Sequence, residues 1–137
     1  MVSHSTIQLP TGRSMPAMGL GTWQLKDDTA GTVEEALRLG YRMVDTSSDY
    51  GTQPGVGEAI SRSDLAREEI FLVTKVEEDD DSFQATRQYL EEMGRRYADL
   101  MLVHRPPEDG PGVDLWEGLI RARDEGLTRD IGVSNYN

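Results

Sequence analysis

Apolar positions in this chain recur on two spacings, and the switch between them repeats. Ile70-Phe71-Leu72-Val73, Leu100-Met101-Leu102-Val103 and Ile131-Gly132-Val133 are short, nearly unbroken apolar runs that end in polar residues. Strands covered on both faces read this way. They predict strands over Ile70 to Lys75, Asp99 to His104 and Asp130 to Ser134, with a shorter one over Met43 to Asp45. Between them the apolar residues fall three and four apart, as on one face of a helix. Ala30, Val33, Ala36 and Leu37 mark a helix over Asp28 to Leu39, stopped by Gly40. Val56, Ala59 and Ile60 mark a short one with Pro54 near its start. Phe83, Thr86, Leu90 and Met93 stripe a third, capped by Ser82 and left at Gly94. Trp116, Leu119, Ile120 and Arg123 share a face of a fourth, capped by Asp114 with Glu117 three residues on, and ending at Gly126.

Upstream, Ser5 to Leu9 and Arg13 to Met18 flank the turn signal Pro10-Thr11-Gly12 and predict a hairpin. The glycine-rich Met18 to Trp23 reads as a strand approached by another backbone or a ligand. The order is therefore a hairpin, four βα units and a final strand. That is an α/β chain with a parallel sheet and right-handed crossovers, in one domain over residues 1–137. A closed parallel barrel of this kind needs eight units and about 250 residues. This sequence holds about half of that.

The strand ends carry the chemistry. Asp45 ends one strand, and Tyr50 sits in the loop that follows. Lys75, His104 and the pair Ser134 and Asn135 end the next three. In a parallel sheet those ends share one face, where such folds build their sites. A lysine after five apolar residues must find water or an anion.

Composition narrows the partners. The formal net charge is −11, from 25 acidic and 14 basic residues. Nucleic acid and anionic membrane both require basic patches, so neither is expected as a partner. There is no cysteine, which excludes disulfides and thiolate metal sites and suits the cytoplasm. Met1-Val2-Ser3-His4-Ser5-Thr6 lacks the basic and apolar regions of a secretory leader. The acidic run Glu77-Glu78-Asp79-Asp80-Asp81 lacks the ligand spacing and central glycine of an EF-hand. It reads as a solvated segment, and no metal is expected.

Taken together, the chain resembles the aldo-keto reductase superfamily. The resemblance rests on Met15-Pro16-Ala17-Met18-Gly19-Leu20-Gly21-Thr22-Trp23 and Gly40-Tyr41-Arg42-Met43-Val44-Asp45-Thr46-Ser47-Ser48-Asp49-Tyr50-Gly51. Further on it rests on Val56-Gly57-Glu58-Ala59-Ile60, Phe71-Leu72-Val73-Thr74-Lys75, Asp99-Leu100-Met101-Leu102-Val103-His104 and Ile131-Gly132-Val133-Ser134-Asn135. It implies the N-terminal half of a TIM-type (β/α)8 barrel whose bottom is closed by the hairpin. The activity it implies is hydride transfer between a nicotinamide cofactor, usually NADPH, and a carbonyl. By resemblance Asp45, Tyr50, Lys75 and His104 match the catalytic tetrad. Ser134 and Asn135 match the pair that holds the nicotinamide carboxamide, with Gly21, Thr22 and Asp45 also on the cofactor side. Trp23, Tyr50 and His104 match the wall of the substrate pocket.

The residue types suit that reaction. Hydride addition to a carbonyl leaves an alkoxide, which needs a proton. A free phenol holds its proton to about pH 10. A neighbouring ammonium favours the phenolate, so Lys75 would ready Tyr50 to donate and Asp45 would hold Lys75 in place. His104 would hydrogen-bond the carbonyl oxygen.

Two departures stand out. Arg105-Pro106 follows His104 where the family commonly has Trp-Pro, placing a charge beside the pocket. Gln53-Pro54 follow the tyrosine loop where a polar pair such as Asn-Glu is common. In barrel enzymes, phosphate is often bound after strands seven and eight, beyond this sequence. Three functions therefore fit these residues. One is a carbonyl reductase, with a small carbonyl substrate and with either self-association or a C-terminal half completing the barrel. The others are a half-barrel that keeps the tetrad without activity, and a scaffold that uses its sheet edge.

Overall fold

The structure is a computed structural model that describes residues 4–25 and 27–137. Met1 to Ser3, read above for a leader, lie outside the described residues. The predicted hairpin is present as β1 (Thr6–Gln8) and β2 (Ser14–Pro16), paired antiparallel around Gly12, whose φ is +89°. The remaining strands are β3 (Leu20–Gly21), β4 (Met43–Asp45), β5 (Phe71–Val76), β6 (Ala98–Val103) and β7 (Thr128–Val133). They form one parallel sheet in sequence order. Between them run α1 (Thr29–Arg38), α2 (Gln53–Arg62), α3 (Ser82–Met93) and α4 (Val113–Asp124). Sequential order with one helix per crossover is the arrangement of a partial barrel.

The core lies between the sheet and the helices. Val44, Leu72, Val76, Met101 and Val103 point from the strands into a cluster with Val33 and Leu37 of α1, Val56 and Ile60 of α2, Leu90 and Met93 of α3 and Leu119 of α4. The register puts Asp45, Val73, Lys75, Leu100 and Leu102 on the opposite face. Helix α2 meets α3 at Gly57, where a Cβ would lie 2.6 Å from the Met93 Cα. Gly118 of α4 lies against Ser82 in the same way.

Several local expectations are corrected. Asp81, not Ser82, caps α3 by accepting from the Gln84 amide at 3.2 Å, while the Ser82 hydroxyl donates to the Leu115 carbonyl at 2.7 Å. Helix α4 starts one residue before Asp114, after the left-handed Gly112, so Asp114 lies inside its first turn. Its buried face is Leu115, Leu119 and Ala122; of the predicted stripe Leu119 is buried, while Trp116 and Arg123 are exposed. Contact with α3 through Ser82, Leu115 and Gly118 selects that face. The Met18 to Trp23 strand shrinks to two residues.

The bottom of the sheet is tied by buried charges. Asp99, 2 % exposed, accepts from the Leu72 amide at 2.8 Å, Arg67 at 2.9 Å and Arg13 at 2.9 Å. Arg13 also reaches Asp130 at 3.2 Å, and Thr11 donates to Asp130 at 2.5 Å. These bonds fasten the hairpin across the strand starts. Among the described residues no helix is long and apolar enough to cross a membrane.

Candidate active site

The upper strand ends are held in place by ladder bonds that continue one residue past each strand. The Thr46 amide donates to the Val73 carbonyl, His104 to Val76 and Ser134 to Val103, each at 2.9 Å. After β4 the chain makes a one-turn 3-10 helix, Ser48–Tyr50. Ser47 opens it by accepting from the Asp49 amide, and Gly51 closes it at a φ of +71° that glycine adopts without strain. Strand β4, this turn and strand β5 bring Asp45, Tyr50 and Lys75 together.

Lys75 is 5 % exposed, and its ammonium has three oxygen partners. Nζ donates to Asp45 Oδ1 at 2.6 Å, to the Thr46 carbonyl at 3.0 Å and to Tyr50 Oη at 3.3 Å. A buried ammonium is tolerable only with such partners. His104 stands edge-on to the Tyr50 ring, with centroids 5.7 Å apart. The four residues read as a tetrad from sequence are thus one connected cluster.

The remaining site residues separate into two sets. Asn135 takes a left-handed φ of +62°, a conformation asparagine tolerates better than most residues. Its Nδ2 donates to the His104 carbonyl at 2.9 Å and to Ser134 Oγ at 3.1 Å. That leaves the Asn135 carbonyl oxygen and the Ser134 hydroxyl proton for a ligand. Trp23 is exposed at the end of β3. Gly21 is exposed with open space where a side chain would lie. Thr22 is fully buried, with its hydroxyl on the Asp45 carbonyl at 2.9 Å and Thr52 at 2.8 Å. Its side chain thereby joins β3 to β4.

Gln53 also turns away from the site. The first residue of α2, it is buried, accepting from Thr74 of β5 at 2.5 Å and donating to Glu92 of α3 at 3.0 Å. The residue that sequence reasoning missed is Glu77. The acidic run is not uniformly solvated, because Glu77 Oε1 lies 2.9 Å from His104 Nδ1 and accepts from Ser47 Oγ at 2.9 Å. Its backbone amide is fixed by Asp80, which also accepts from the buried Tyr89 hydroxyl at 2.6 Å. Burial, reinforced by that bond, holds the Tyr89 phenol well above its ordinary pKa. Asp49, Glu77 and His104 bring ligand atoms within 4.8 Å of one another. The cation beside them is Arg105, 3.4 Å from Glu77 and 3.5 Å from both Glu78 and Asp49.

Comparison with known proteins adds the ancestry. The sequence profile described as the Aldo/keto reductase family matches residues 17–137. The chain belongs to the aldo/keto reductase family. It is 44 % identical to the aldo-keto reductase Rv2971 of Mycobacterium tuberculosis over 137 residues, covering 96 % of this chain and 49 % of that protein. Against the putative methylglyoxal reductase DkgA of Salmonella typhi it is 37 % identical over 140 residues, 99 % of this chain and 51 % of that one. The Bombyx mori aldo-keto reductase crystallised with NADP superposes with a TM-score of 0.91 at 32 % identity, over 100 % of this chain and 52 % of that one. The Brucella melitensis aldo/keto reductase gives 0.91 at 38 % identity, over 98 % and 55 %. The chain therefore spans about half the length of the relatives it matches, and its five strands are the matching part of their (β/α)8 barrels.

Proposed function

We propose that this chain carries the proton-transfer machinery of an NADPH-dependent aldehyde or ketone reductase, with Tyr50 as the proton donor. The observation that carries the reading is the position of Lys75, buried between Asp45 and the Tyr50 hydroxyl at 2.6 and 3.3 Å. A fixed ammonium beside a phenol stabilises the phenolate left after the proton departs. Asp45 and the Thr46 carbonyl keep that ammonium aimed while charge develops.

The free groups of Ser134 and Asn135 fit a primary carboxamide, because one offers a hydroxyl donor and the other a carbonyl acceptor. They would hold the nicotinamide ring by its amide. When bound, the reduced nicotinamide supplies the hydride. The chain's own part is to hold the carbonyl beside Tyr50 and to move the Tyr50 proton to the developing alkoxide oxygen. Replacing Tyr50 by phenylalanine keeps the ring and removes the proton. Turnover followed by NADPH oxidation with a reactive aldehyde should fall by at least the ~10²-fold typical of losing a general acid. Equal rates would rule out the role.

A second reading is favoured by one fact, the roughly half-length match to relatives. Barrel enzymes commonly bind phosphate after strands seven and eight. On this reading the chain alone keeps the tetrad but binds NADPH weakly, and activity needs a second copy or a C-terminal half. Cofactor fluorescence titration of the purified chain separates the two readings.

A further inference from the structure

The hydrogen bonds around His104 fix where its proton lies. Ser47 Oγ carries one proton, and it is directed at Glu77 Oε1, 2.9 Å away. His104 Nδ1 faces that same carboxylate oxygen at 2.9 Å and the Ser47 oxygen at 3.2 Å. Without a proton on Nδ1, lone pairs would oppose each other at a ring that is 6 % exposed. On the other side, Nε2 lies 3.4 Å from Arg105 Nη2. A guanidinium offers only N–H groups. A proton on Nε2 would therefore meet another donor.

We infer that Glu77 and Arg105 together hold His104 as the Nδ1–H tautomer, with Nε2 as a hydrogen-bond acceptor toward Arg105. Glu77 is then the positioning residue of the site. An oxygen approaching His104 Nε2 would meet a lone pair, while the N–H next to it belongs to Arg105. Arg105 has freedom to supply that bond. It is 42 % exposed, and its contacts with His104 Nε2, Glu77, Glu78 and Asp49 are all 3.4 to 3.5 Å, at the long limit for hydrogen bonds. This aldo-keto reductase thus presents a permanently charged donor where an imidazole N–H was expected. The identity of the entering oxygen as a substrate carbonyl rests on the proposed function; the tautomer does not.

Nitrogen-15 NMR of the imidazole side chains tests this without turnover. The chain has two histidines, so a His4→Gln variant assigns His104. At pH 8 the long-range couplings of His104 should show a protonated Nδ1 and a bare Nε2. A protonated Nε2, alone or with Nδ1, overturns the inference. In Arg105→Leu the Nε2 resonance should move toward that of an unbonded lone pair while Nδ1 stays; an unmoved Nε2 overturns the Arg105 contact. In Glu77→Gln, whose amide can turn either its oxygen or its NH2 to Nδ1, the second tautomer should appear; its absence overturns the positioning role. An inactive chain with the Nδ1–H tautomer would refute the reductase reading alone. An active chain with the Nε2–H tautomer would refute this inference alone.

Discussion

Replacing Asp99 by alanine should be among the most damaging single changes in the chain, although it lies far from the site chemistry. The side chain is 4 % exposed and accepts from the Leu72 amide, Arg67 and Arg13. Removing it strands a buried amide, at about 1–3 kcal/mol. It also removes the anion of a largely buried pair with Arg67, whose side chain is 16 % exposed, a class of loss near 3–5 kcal/mol. These terms overlap because they share one carboxylate, so they do not add. The Arg13 bond counts for less, since Arg13 is 36 % exposed and keeps Asp130. We expect a net loss of about 4 kcal/mol, a large share of the 5–15 kcal/mol typical of a domain. With a urea slope of about 2 kcal/mol/M, the midpoint should fall by about 2 M. Circular dichroism at 222 nm is the suitable probe, because Trp23 and Trp116 are both exposed and report the core poorly. Asp99→Asn, which keeps an acceptor for the Leu72 amide, should lose about half as much. An Asp99→Ala midpoint within about 0.3 M of the parent would refute the reasoning, since it corresponds to well under 1 kcal/mol.

Gly57→Ala should destabilise by about 1–3 kcal/mol through contact with the Met93 backbone, although helix propensity alone favours alanine by ~1 kcal/mol. The sign of the urea-midpoint shift decides which effect wins. For Tyr89, a phenol pKa raised on folding means stability is intact below the ordinary phenol range and falls as pH rises beyond about 10. Melts at pH 8 and pH 11 should show that loss, and Tyr89→Phe should abolish it. The edge of β7 is open, with Ile131 half-buried and Val133 48 % exposed. Open edges and apolar faces invite pairing. Light scattering after size exclusion should therefore find the chain self-associated or joined to a C-terminal half, and a monodisperse 15.3 kDa monomer would contradict this.

The apolar runs located β5, β6 and β7 because successive residues there are apolar on both faces of the sheet, whether or not both faces are covered. The polar strand ends correctly placed Asp45, Lys75, His104, Ser134 and Asn135 at one end of the sheet. Glu77 was not legible. Five adjacent carboxylates look alike in sequence, and only the loop bonds through Asp80 and Tyr89 turn one of them back to His104. The phase of α4 failed for a related reason. Leu115 and Trp116 are both apolar, and the choice between them comes from packing against Ser82 of α3. Thr22 carried a motif match but no sign that its hydroxyl would be enclosed by Thr52 and the Asp45 carbonyl. The Arg13–Asp99–Arg67 network joins residues 32 and 86 positions apart, which local patterns do not connect.

The most direct test of the central claim follows the hydride by isotope and the proton donor by substitution. An aldehyde is incubated with NADPH carrying deuterium at the transferring position of its nicotinamide, using the chain in whichever assembly it forms when purified. The alcohol product is then analysed by mass spectrometry. The account predicts one deuterium on the carbinol carbon with the parent chain, and at least ~10²-fold less labelled alcohol with Tyr50→Phe. Alcohol formed without deuterium, or labelled alcohol formed equally by both proteins, would contradict it.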